Sequence, residues 1–295
     1  MVFRSMTTPV TTTDPHSRRL IADFSRIYPE CVDMIIRRLP ENTTAFSKHN
    51  MGWRKDVFNV REYLTISETR YVRALRILLS DRSSRILDVG GFLAAFPLAL
   101  RKLGLEVSIA EKYGYYGNAL DAIAELMQSQ GVQVVDIDFT ETQSKLDGLA
   151  QTFDAVTCMA VAEHLAHSPR ALMENIHAVL KPGGTLVFEV PNLAFWPRRA
   201  ALFFRGSTVF DPIEHVYHSA VPFTGHHREY TLADAHYVVR EGGFEVVADS
   251  TFNYSINLHG PWHLVKHAPA ILFKEYAEII LLHGRKPVPN ASGET

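Results

Sequence analysis

The stretch RILDVGG, residues 85–91, decides how this chain folds. An apolar run ends at Asp88, the pair Gly90 and Gly91 interrupts the strand, and a helical pattern follows over residues 92–103. In α/β proteins, a strand, a sharp glycine turn and a helix start form a nucleotide pocket at the carboxyl end of the first strand. We therefore expect a nucleotide-like ligand beside this turn.

The same turn departs from the pattern that binds dinucleotides. Phe92 and Ala94 stand where that pattern has further glycines, which let the backbone approach a pyrophosphate closely. A ligand that has a nucleoside and no phosphate needs those glycines less. The turn therefore favours a nucleoside ligand without a pyrophosphate.

The composition is that of an ordinary globular protein. The chain has 295 residues, 46% of them hydrophobic, and a net charge of −2. It lacks the clustered excess of basic residues that nucleic-acid-binding proteins usually carry, so we expect no nucleic-acid partner. Cys31 and Cys158 are too few and too far apart for a cysteine metal site or a disulfide scaffold. Because no segment resembles a signal peptide or a membrane-spanning helix, we expect a cytoplasmic protein; its oligomeric state stays open.

Strand and helix patterns alternate from residue 85 onward, behind a helix-rich block. This alternation predicts parallel strands joined by right-handed crossovers. An aromatic and histidine-rich insertion after the fifth strand would form a lid or an acceptor-binding wall. The expected units are a disordered tail at 1–16, a helical cap at 17–84, a sheet domain at 85–287 with the insertion at 191–230, and a tail at 288–295. Strands are expected at 86–89, 107–110, 132–137, 153–159, 185–190, 244–247 and 278–283, and helices at 92–103, 115–130, 168–180, 194–204 and 231–242.

A series of motifs follows these elements in order. It comprises ILDVGG at 86–91, Glu111 after the second strand, Asp138 after the third, FDAVTCMAVAEHL at 153–165, LKPGGTLVFEVPN at 180–192 and HHREYTLADAHYVVREGGFEVV at 226–247. In this order the chain resembles the class I S-adenosylmethionine-dependent methyltransferases over about residues 84–250. The resemblance implies an α/β fold with a doubly wound, mostly parallel, seven-stranded Rossmann-like sheet, whose last strand is antiparallel and inserted beside the sixth. It also implies S-adenosyl-L-methionine as the cofactor.

Carboxylates at the strand ends are the expected donor-binding residues. Glu111 can accept hydrogen bonds from both ribose hydroxyls, with a solvated pair to Lys112 as the alternative. Asp138 can accept a hydrogen bond from the adenine amine, and Asp136 is its competitor because a one-residue slip exchanges strand faces. The methionine end is expected at the first turn and after the fourth strand. The full expected set is Asp88, Gly90, Gly91, Phe92, Glu111, Asp138, Phe139 and Met159.

Polar residues after the fourth strand and in the insertion are expected on the acceptor side. Imidazole as a group titrates near neutrality, so a positioned His164 can take a hydroxyl proton as a general base. The alternative is that many sequences of the family that the chain resembles carry Glu-His here without an established acid–base role. The other expected acceptor-side residues are Glu163, His226, His227, Arg228 and Tyr230, for which a structural role at the next helix start is the alternative. Asp211, Glu214, His215, His218 and Glu229 add metal-ligand types, but their spacing matches no recognised motif, so no metal site is expected.

The segment FWPRRAALFFRG, residues 195–206, combines aromatic and arginine side chains. We expect its aromatic residues to pack over the active site as a lid. The alternative is a helix on a membrane surface that binds a lipid-linked acceptor.

The leading hypothesis for function is O-methylation of a small-molecule or glycan hydroxyl by direct displacement. A nicotinamide-dependent oxidoreductase on a related fold is one alternative. A non-catalytic, methyltransferase-like binding or regulatory protein is another. The acceptor, and whether it accepts on oxygen, nitrogen or carbon, stays open.

Overall fold

The structure is a computed structural model that describes residues 14–39, 59–116, 118–141, 146, 148–206, 213–219, 223, 225–256 and 261–289. Its first helix, α1 (Pro15–Ile36), begins inside the expected tail. It begins there because Asp14 accepts hydrogen bonds from the backbone amides of His16 and Ser17 and so caps the first turn. The rest of both expected tails, 1–13 and 290–295, lies outside the described residues.

Within the described residues, seven strands form one sheet. They are β1 (Arg85–Val89), β2 (Glu106–Glu111), β3 (Gln133–Asp136), β4 (Phe153–Met159), β5 (Leu180–Pro191), β6 (Glu245–Phe252) and β7 (Ile279–Arg285). Their order is β3-β2-β1-β4-β5-β7-β6. The first five are parallel, and β7 runs antiparallel to both β5 and β6. The predicted fold class, with its inserted antiparallel strand, is confirmed.

Helices pack on the two faces of this sheet. Alternate residues of β1 point to opposite faces, and Ile86 belongs to one buried cluster whereas Leu87 and Val89 belong to another. The first cluster includes residues of α1, α2 (Val60–Ser80), α3 (Ala95–Lys102) and α4 (Asp121–Ser129); the second includes residues of α5 (Arg170–Val179) and α8 (Leu232–Glu241). The sheet is therefore covered by apolar packing on both sides.

The expected N-terminal cap consists of α1 and α2, and it shares the core of the sheet domain. Phe24 stacks on Tyr28 with ring centroids 5.4 Å apart and meets Phe96 of α3 edge-on at 6.0 Å. The Tyr28 hydroxyl donates a 2.7 Å hydrogen bond to the Leu64 carbonyl, which ties α1 to α2. Because these residues lie in one buried cluster with β1 and β2, the cap is positioned rigidly enough to contribute to a site.

Several boundaries differ from the predicted ones. β5 begins at Leu180, because Leu180 pairs with Phe153 before the register shifts at Ala155. The insertion contains α6 (Trp196–Arg205), which was predicted, and a short helix α7 (Ile213–Tyr217), which was not. A further unpredicted helix, α9 (Pro261–Leu272), precedes β7; its prolines and histidines hide the helical pattern. None of the described helices has the length and apolar character needed to cross a bilayer.

Candidate active site

A cavity of about 1160 Å³ opens at the carboxyl ends of the parallel strands. The strand order reverses between β1 and β4, and open α/β sheets bind their ligands in the crevice at such a reversal. The turn after β1 and the ends of β2 and β3 line what we call the donor side. The ends of β4 and β5, with α2, Phe223, His226 and His227, line the acceptor side.

The glycine turn keeps a left-handed backbone even where glycine is absent. Gly90 has φ +74°, and its amide donates a 2.9 Å hydrogen bond to the Ala110 carbonyl on β2. Phe92 and Ala94 also have positive φ, at +46° and +58°. Residues other than glycine rarely adopt this backbone conformation, because it costs about 1–3 kcal/mol per residue and persists only where the surroundings enforce it. The turn thus retains the shape of a glycine loop at a cost in stability.

Glu111 is the group that enforces this shape. Its Oε2 accepts a 2.9 Å hydrogen bond from the Phe92 amide and its Oε1 accepts one of 2.9 Å from the Lys112 amide. Burial raises the pKa of Glu111. A carboxylate has about four lone-pair positions, so two amides leave capacity for further donors. Glu111 can therefore hold the loop and accept hydrogen bonds from a ligand in the cavity.

Asp88 lies buried at the end of β1 and lines the cavity. The Thr157 hydroxyl on β4 donates a hydrogen bond to its Oδ1. Burial raises the pKa of Asp88 to about 7, against the effect of Thr157 and with a further contribution from Glu111. The group is therefore poised to ionise when a positive charge enters the cavity.

Two candidate carboxylates after β3 have different environments. Asp138 lines the cavity, whereas Asp136 is exposed and forms an ion pair with Lys112 at 3.4 Å. Thr140 donates to Asp138 through its amide and its hydroxyl, and the Tyr115 hydroxyl donates from 2.5 Å. Burial opposes ionisation of Asp138, but these hydrogen bonds outweigh it and hold its pKa below the ordinary value. The geometry thus favours Asp138 over Asp136 as a ligand-facing group.

Glu163, His164 and His226, which we call the Glu163 cluster, meet on the acceptor side. One potential ligand atom from each lies within 4.8 Å of the others, and the two imidazole rings meet edge-on with centroids 4.9 Å apart. Glu163 is buried, its Oε2 has no hydrogen-bond partner, and burial raises its pKa to about 7. The Glu163 carboxyl can therefore exchange a proton near neutrality.

A family model described as a methyltransferase domain matches residues 62–249, which is more than half of the chain. The chain belongs to the class I S-adenosylmethionine-dependent methyltransferases. The match begins within α2 and ends within β6, so it takes in both sides of the cavity.

Individual relatives of this methyltransferase match shorter stretches or only its fold. Ubiquinone biosynthesis O-methyltransferase of Xanthomonas campestris pv. campestris is 33% identical over 116 residues, which are 37% of this chain and 44% of that protein. The matched stretch thus spans less than half the length of that relative. A Haloferax volcanii methyltransferase solved with the Trm112 activator has a TM-score of 0.52 at 15% identity, covering 75% of this chain and 92% of its own. The [4+2]-cyclase SpnF has a TM-score of 0.50 at 16% identity, and the match covers 97% of this chain and 100% of SpnF. These structural likenesses show the fold alone, and SpnF shows that the fold does not by itself determine the reaction.

The donor side of the methyltransferase fits the family's cofactor, S-adenosylmethionine. Asp88, Glu111 and Asp138 line it together, and the cation beside them, Lys112, is paired with Asp136. S-adenosylmethionine carries a positive sulfonium, a ribose with free hydroxyls and no phosphate, so its charge complements these carboxylates. The pyrophosphate of a nicotinamide cofactor would instead meet like charge.

The buried carboxyl of Asp88 leads to a prediction for stability. Its ordinary pKa is 3.8 and its folded pKa is about 7, so the folded methyltransferase binds more protons than the unfolded chain between these values. Its contribution to stability is therefore present below about pH 4 and is lost as the pH rises through about 7. Asp88→Asn cannot ionise and can still accept from Thr157. In urea unfolding without ligand, the free energy of unfolding of the variant is expected to rise relative to that of the wild type as the pH rises. A difference in free energy that does not change with pH would contradict the assignment.

The acceptor side also contains a buried ion pair that was not predicted from the sequence. Arg70 of α2 donates from Nε to Glu189 Oε1 of β5 at 2.8 Å, and both side chains are buried and line the cavity. The Arg70 guanidinium also lies 5.4 Å from the centroid of the Tyr254 ring. The sequence does contain a signal for a buried partner of Arg70. Arg70 stands on the apolar face of α2, between Leu64 and Ala74, where an unpaired charge would be unstable.

Not every predicted acceptor-side residue reaches the cavity. Glu163, His164, His226 and His227 are among the described residues that line it, whereas Arg228 and Tyr230 are not. Tyr230 is buried, and its hydroxyl donates to the Ala162 carbonyl at 3.3 Å. The Arg228 guanidinium lies over the Tyr230 ring at 5.9 Å. These contacts favour the alternative, a structural role, for both residues.

The expected aromatic lid does not form as predicted. Phe203 and Phe204 of α6 are 83% and 74% exposed, and they are not among the described residues that line the cavity. Phe195 and Arg198, at the start of the segment, do line it. Trp196 instead anchors the helix, with its Nε1 donating to the Lys266 carbonyl of α9 at 3.1 Å. The prediction that the segment's aromatic residues cover the site is therefore wrong for Phe203 and Phe204.

Proposed function

We propose that the protein transfers a methyl group from S-adenosylmethionine to a hydroxyl oxygen of a small molecule or sugar. One observation carries this proposal: a single cavity joins the acidic strand ends on the donor side to the Glu163 cluster on the acceptor side. The name of the Xanthomonas relative, an O-methyltransferase, supports oxygen as the accepting atom.

The residues of the donor side have distinct proposed tasks. S-adenosylmethionine supplies an electrophilic methyl group when it is bound. Glu111 accepts hydrogen bonds from the ribose hydroxyls while it holds the turn through the Phe92 amide. Asp88 ionises opposite the positive end of the donor, and Asp138, beside buried Phe139, faces the adenine. Met159, at the end of β4, lines the cavity and contacts the methionine end of the donor.

The acceptor side must remove the proton of the attacking hydroxyl, because a protonated hydroxyl is a poor nucleophile. The Glu163 cluster is the group of titratable residues that lines the cavity there. His164 is the sequence-predicted base, and general base catalysis typically contributes about 10²–10⁴-fold. The Arg70–Glu189 pair closes this side by joining the cap to β5.

Two measurements test the proposal. Calorimetric titration with S-adenosylmethionine should show binding, and labelled donor mixed with a pool of hydroxylated metabolites should yield labelled product. Binding without any product would favour a non-catalytic protein. A failure to bind S-adenosylmethionine, together with fluorescence evidence of reduced nicotinamide binding, would favour the oxidoreductase alternative.

A further inference from the structure

An unsatisfied buried carboxylate oxygen lies within the Glu163 cluster. Glu163 is 1% exposed, yet its Oε2 has no hydrogen-bond partner. A buried polar atom in this state is costly unless a ligand satisfies it. The potential ligand atoms of His164 and His226 lie within 4.8 Å of that of Glu163 and of each other. The cluster therefore has the residue types and the convergence of a metal site.

His226 is held in the orientation that metal-binding histidines require. Its Nδ1 lies 2.9 Å from Glu229 Oε1, and Arg198 donates a further hydrogen bond to the same oxygen. Arg198 compensates the charge of Glu229, so this carboxylate accepts a hydrogen bond from the Nδ1–H of His226 and leaves the imidazole lone pair on Nε2. A carboxylate on the outer imidazole nitrogen fixes the tautomer and increases the basicity of the inner one.

Backbone hydrogen bonds hold the two halves of the cluster together. The carbonyl of Glu163 accepts from the amides of His227 at 2.8 Å and Arg228 at 3.2 Å. The Tyr230 hydroxyl adds a bond to Ala162 at 3.3 Å. The segment that carries His226 is thus fastened to the turn that carries Glu163, so the three groups are brought together before any ligand arrives.

We propose that Glu163, His164 and His226 bind one divalent transition-metal ion on the acceptor side of the cavity. Two imidazoles and one carboxylate suit Zn²⁺, Mn²⁺, Fe²⁺ or Co²⁺, whereas Mg²⁺ prefers oxygen ligands. Three protein ligands leave coordination positions open for oxygen atoms of an acceptor. This inference rests on the proposed function, and it assigns His164 as a ligand rather than the general base. The ion would orient the acceptor and lower the pKa of its bound hydroxyl, whose proton would pass to solvent water.

Zn²⁺ titration of chelator-treated protein tests the site. The wild type is expected to bind one ion per chain. Glu229→Gln alters only a positioning residue, so its Zn²⁺ affinity should fall by about 10–100-fold, as is typical for residues that hydrogen-bond a metal ligand. Glu163→Gln and His226→Ala each remove a ligand, so their Zn²⁺ affinity should fall by more than this. The matched control is His227→Ala, because the His227 Nε2 already lies 2.8 Å from the Phe223 carbonyl; it should bind Zn²⁺ as the wild type does. Unchanged affinity in both ligand variants would overturn the site.

A measurement on the wild type avoids dependence on variants that fold poorly. Co²⁺ bound by imidazole and carboxylate has a visible absorption band distinct from that of hydrated Co²⁺, so a hydrated spectrum would overturn the inference. S-adenosylmethionine affinity, measured on the same sample, separates the two proposals. Protein that binds the donor but no Zn²⁺ contradicts the metal site alone, whereas protein that binds Zn²⁺ but not the donor contradicts the proposed function.

A second inference concerns the exposed apolar surface formed by α6 and α9. The two helices are in contact, and the Trp196 bond to Lys266 joins them. We call their exposed apolar side chains, among them Phe203, Phe204, Val265 and Leu272, the α6–α9 patch. Neither helix contains an acidic residue. Arg198 of α6 pairs with Glu229, and Arg199, Arg205 and Lys266 are the further positive charges of the two helices. Exposed apolar residues mixed with positive charge are typical of helices that lie on anionic membranes.

We propose that the α6–α9 patch docks on an anionic lipid surface. Vesicle flotation tests this with phosphatidylcholine alone and with added phosphatidylglycerol; binding is expected to the second alone. Phe203→Ser/Phe204→Ser should abolish it, whereas Tyr237→Ser, at an exposed aromatic residue of α8, should not. Absent binding, or binding that the double variant retains, would overturn the proposal. Light scattering that shows self-association lost in the double variant would also overturn it, because a second copy would then cover the patch.

Discussion

Glu111→Ala is expected to weaken S-adenosylmethionine binding by at least about 10- to 100-fold, because even one hydrogen bond to a charged group contributes about 1.5–3 kcal/mol. Two effects act together. The ribose hydroxyls lose their acceptor, and the Phe92 amide loses the partner that holds its left-handed turn. Calorimetric titration measures the change in dissociation constant.

The control for this prediction lies on the same strand. Glu106 is the same residue type at the opposite end of β2, where it is exposed and pairs with Arg85 at 3.0 Å. Glu106→Ala should leave donor affinity unchanged. Equal losses in both variants would indicate a general effect on the sheet, and no loss in Glu111→Ala would reject the ribose assignment.

The donor side could be predicted from sequence because its residues follow local signals. A glycine turn ends β1, and carboxylates follow the ends of β2 and β3, so the parallel sheet brings Asp88, Glu111 and Asp138 to one edge without any detail of packing. The choice between Asp138 and Asp136 required the structure. β3 ends at Asp136, where the side chain pairs with Lys112, whereas Asp138 lies beyond the strand and lines the cavity.

The acceptor side could be predicted only in part, because its contacts join distant segments. Arg70 and Glu189 are 119 residues apart, and the pair depends on how the cap packs across β5. The Glu163 cluster likewise depends on hydrogen bonds from residues 227 and 228 to the Glu163 carbonyl. The spacing of the histidines alone matched no metal motif, since one ligand comes from a different segment than the other two.

The pattern of α6 illustrates a different limit. Its aromatic and arginine residues correctly predict an amphipathic helix, but periodicity does not say which surface its apolar face meets. Phe195 lines the cavity and Trp196 bonds to α9, whereas Phe203 and Phe204 remain exposed. A lid and a surface helix therefore share one sequence pattern.

Arg70→Met is expected to lower the free energy of unfolding by about 3–5 kcal/mol, because removal of one partner from a buried ion pair leaves the other charge uncompensated. Glu189 is 1% exposed, and its Oε2 already lacks a hydrogen-bond partner, so it has no other group to take the place of Arg70 among the described residues. Burial raises the pKa of Glu189 and the Arg70 charge opposes that rise. Without Arg70 the carboxyl should bind a proton at higher pH, and the loss should shrink as the pH falls. Urea unfolding at several pH values measures both effects.

Two further variants decide whether the ion pair itself is the cause. Arg61→Met removes an arginine from the same helix, but Arg61 pairs with Asp33 where both side chains are largely exposed, so the free energy of unfolding should hardly change. Arg70→Met combined with Glu189→Leu removes both charges and should recover most of the stability, since apolar residues of similar volume replace buried pairs at little cost. If the double variant were as unstable as Arg70→Met, the loss would come from cap packing against Tyr254 rather than from an unpaired carboxylate.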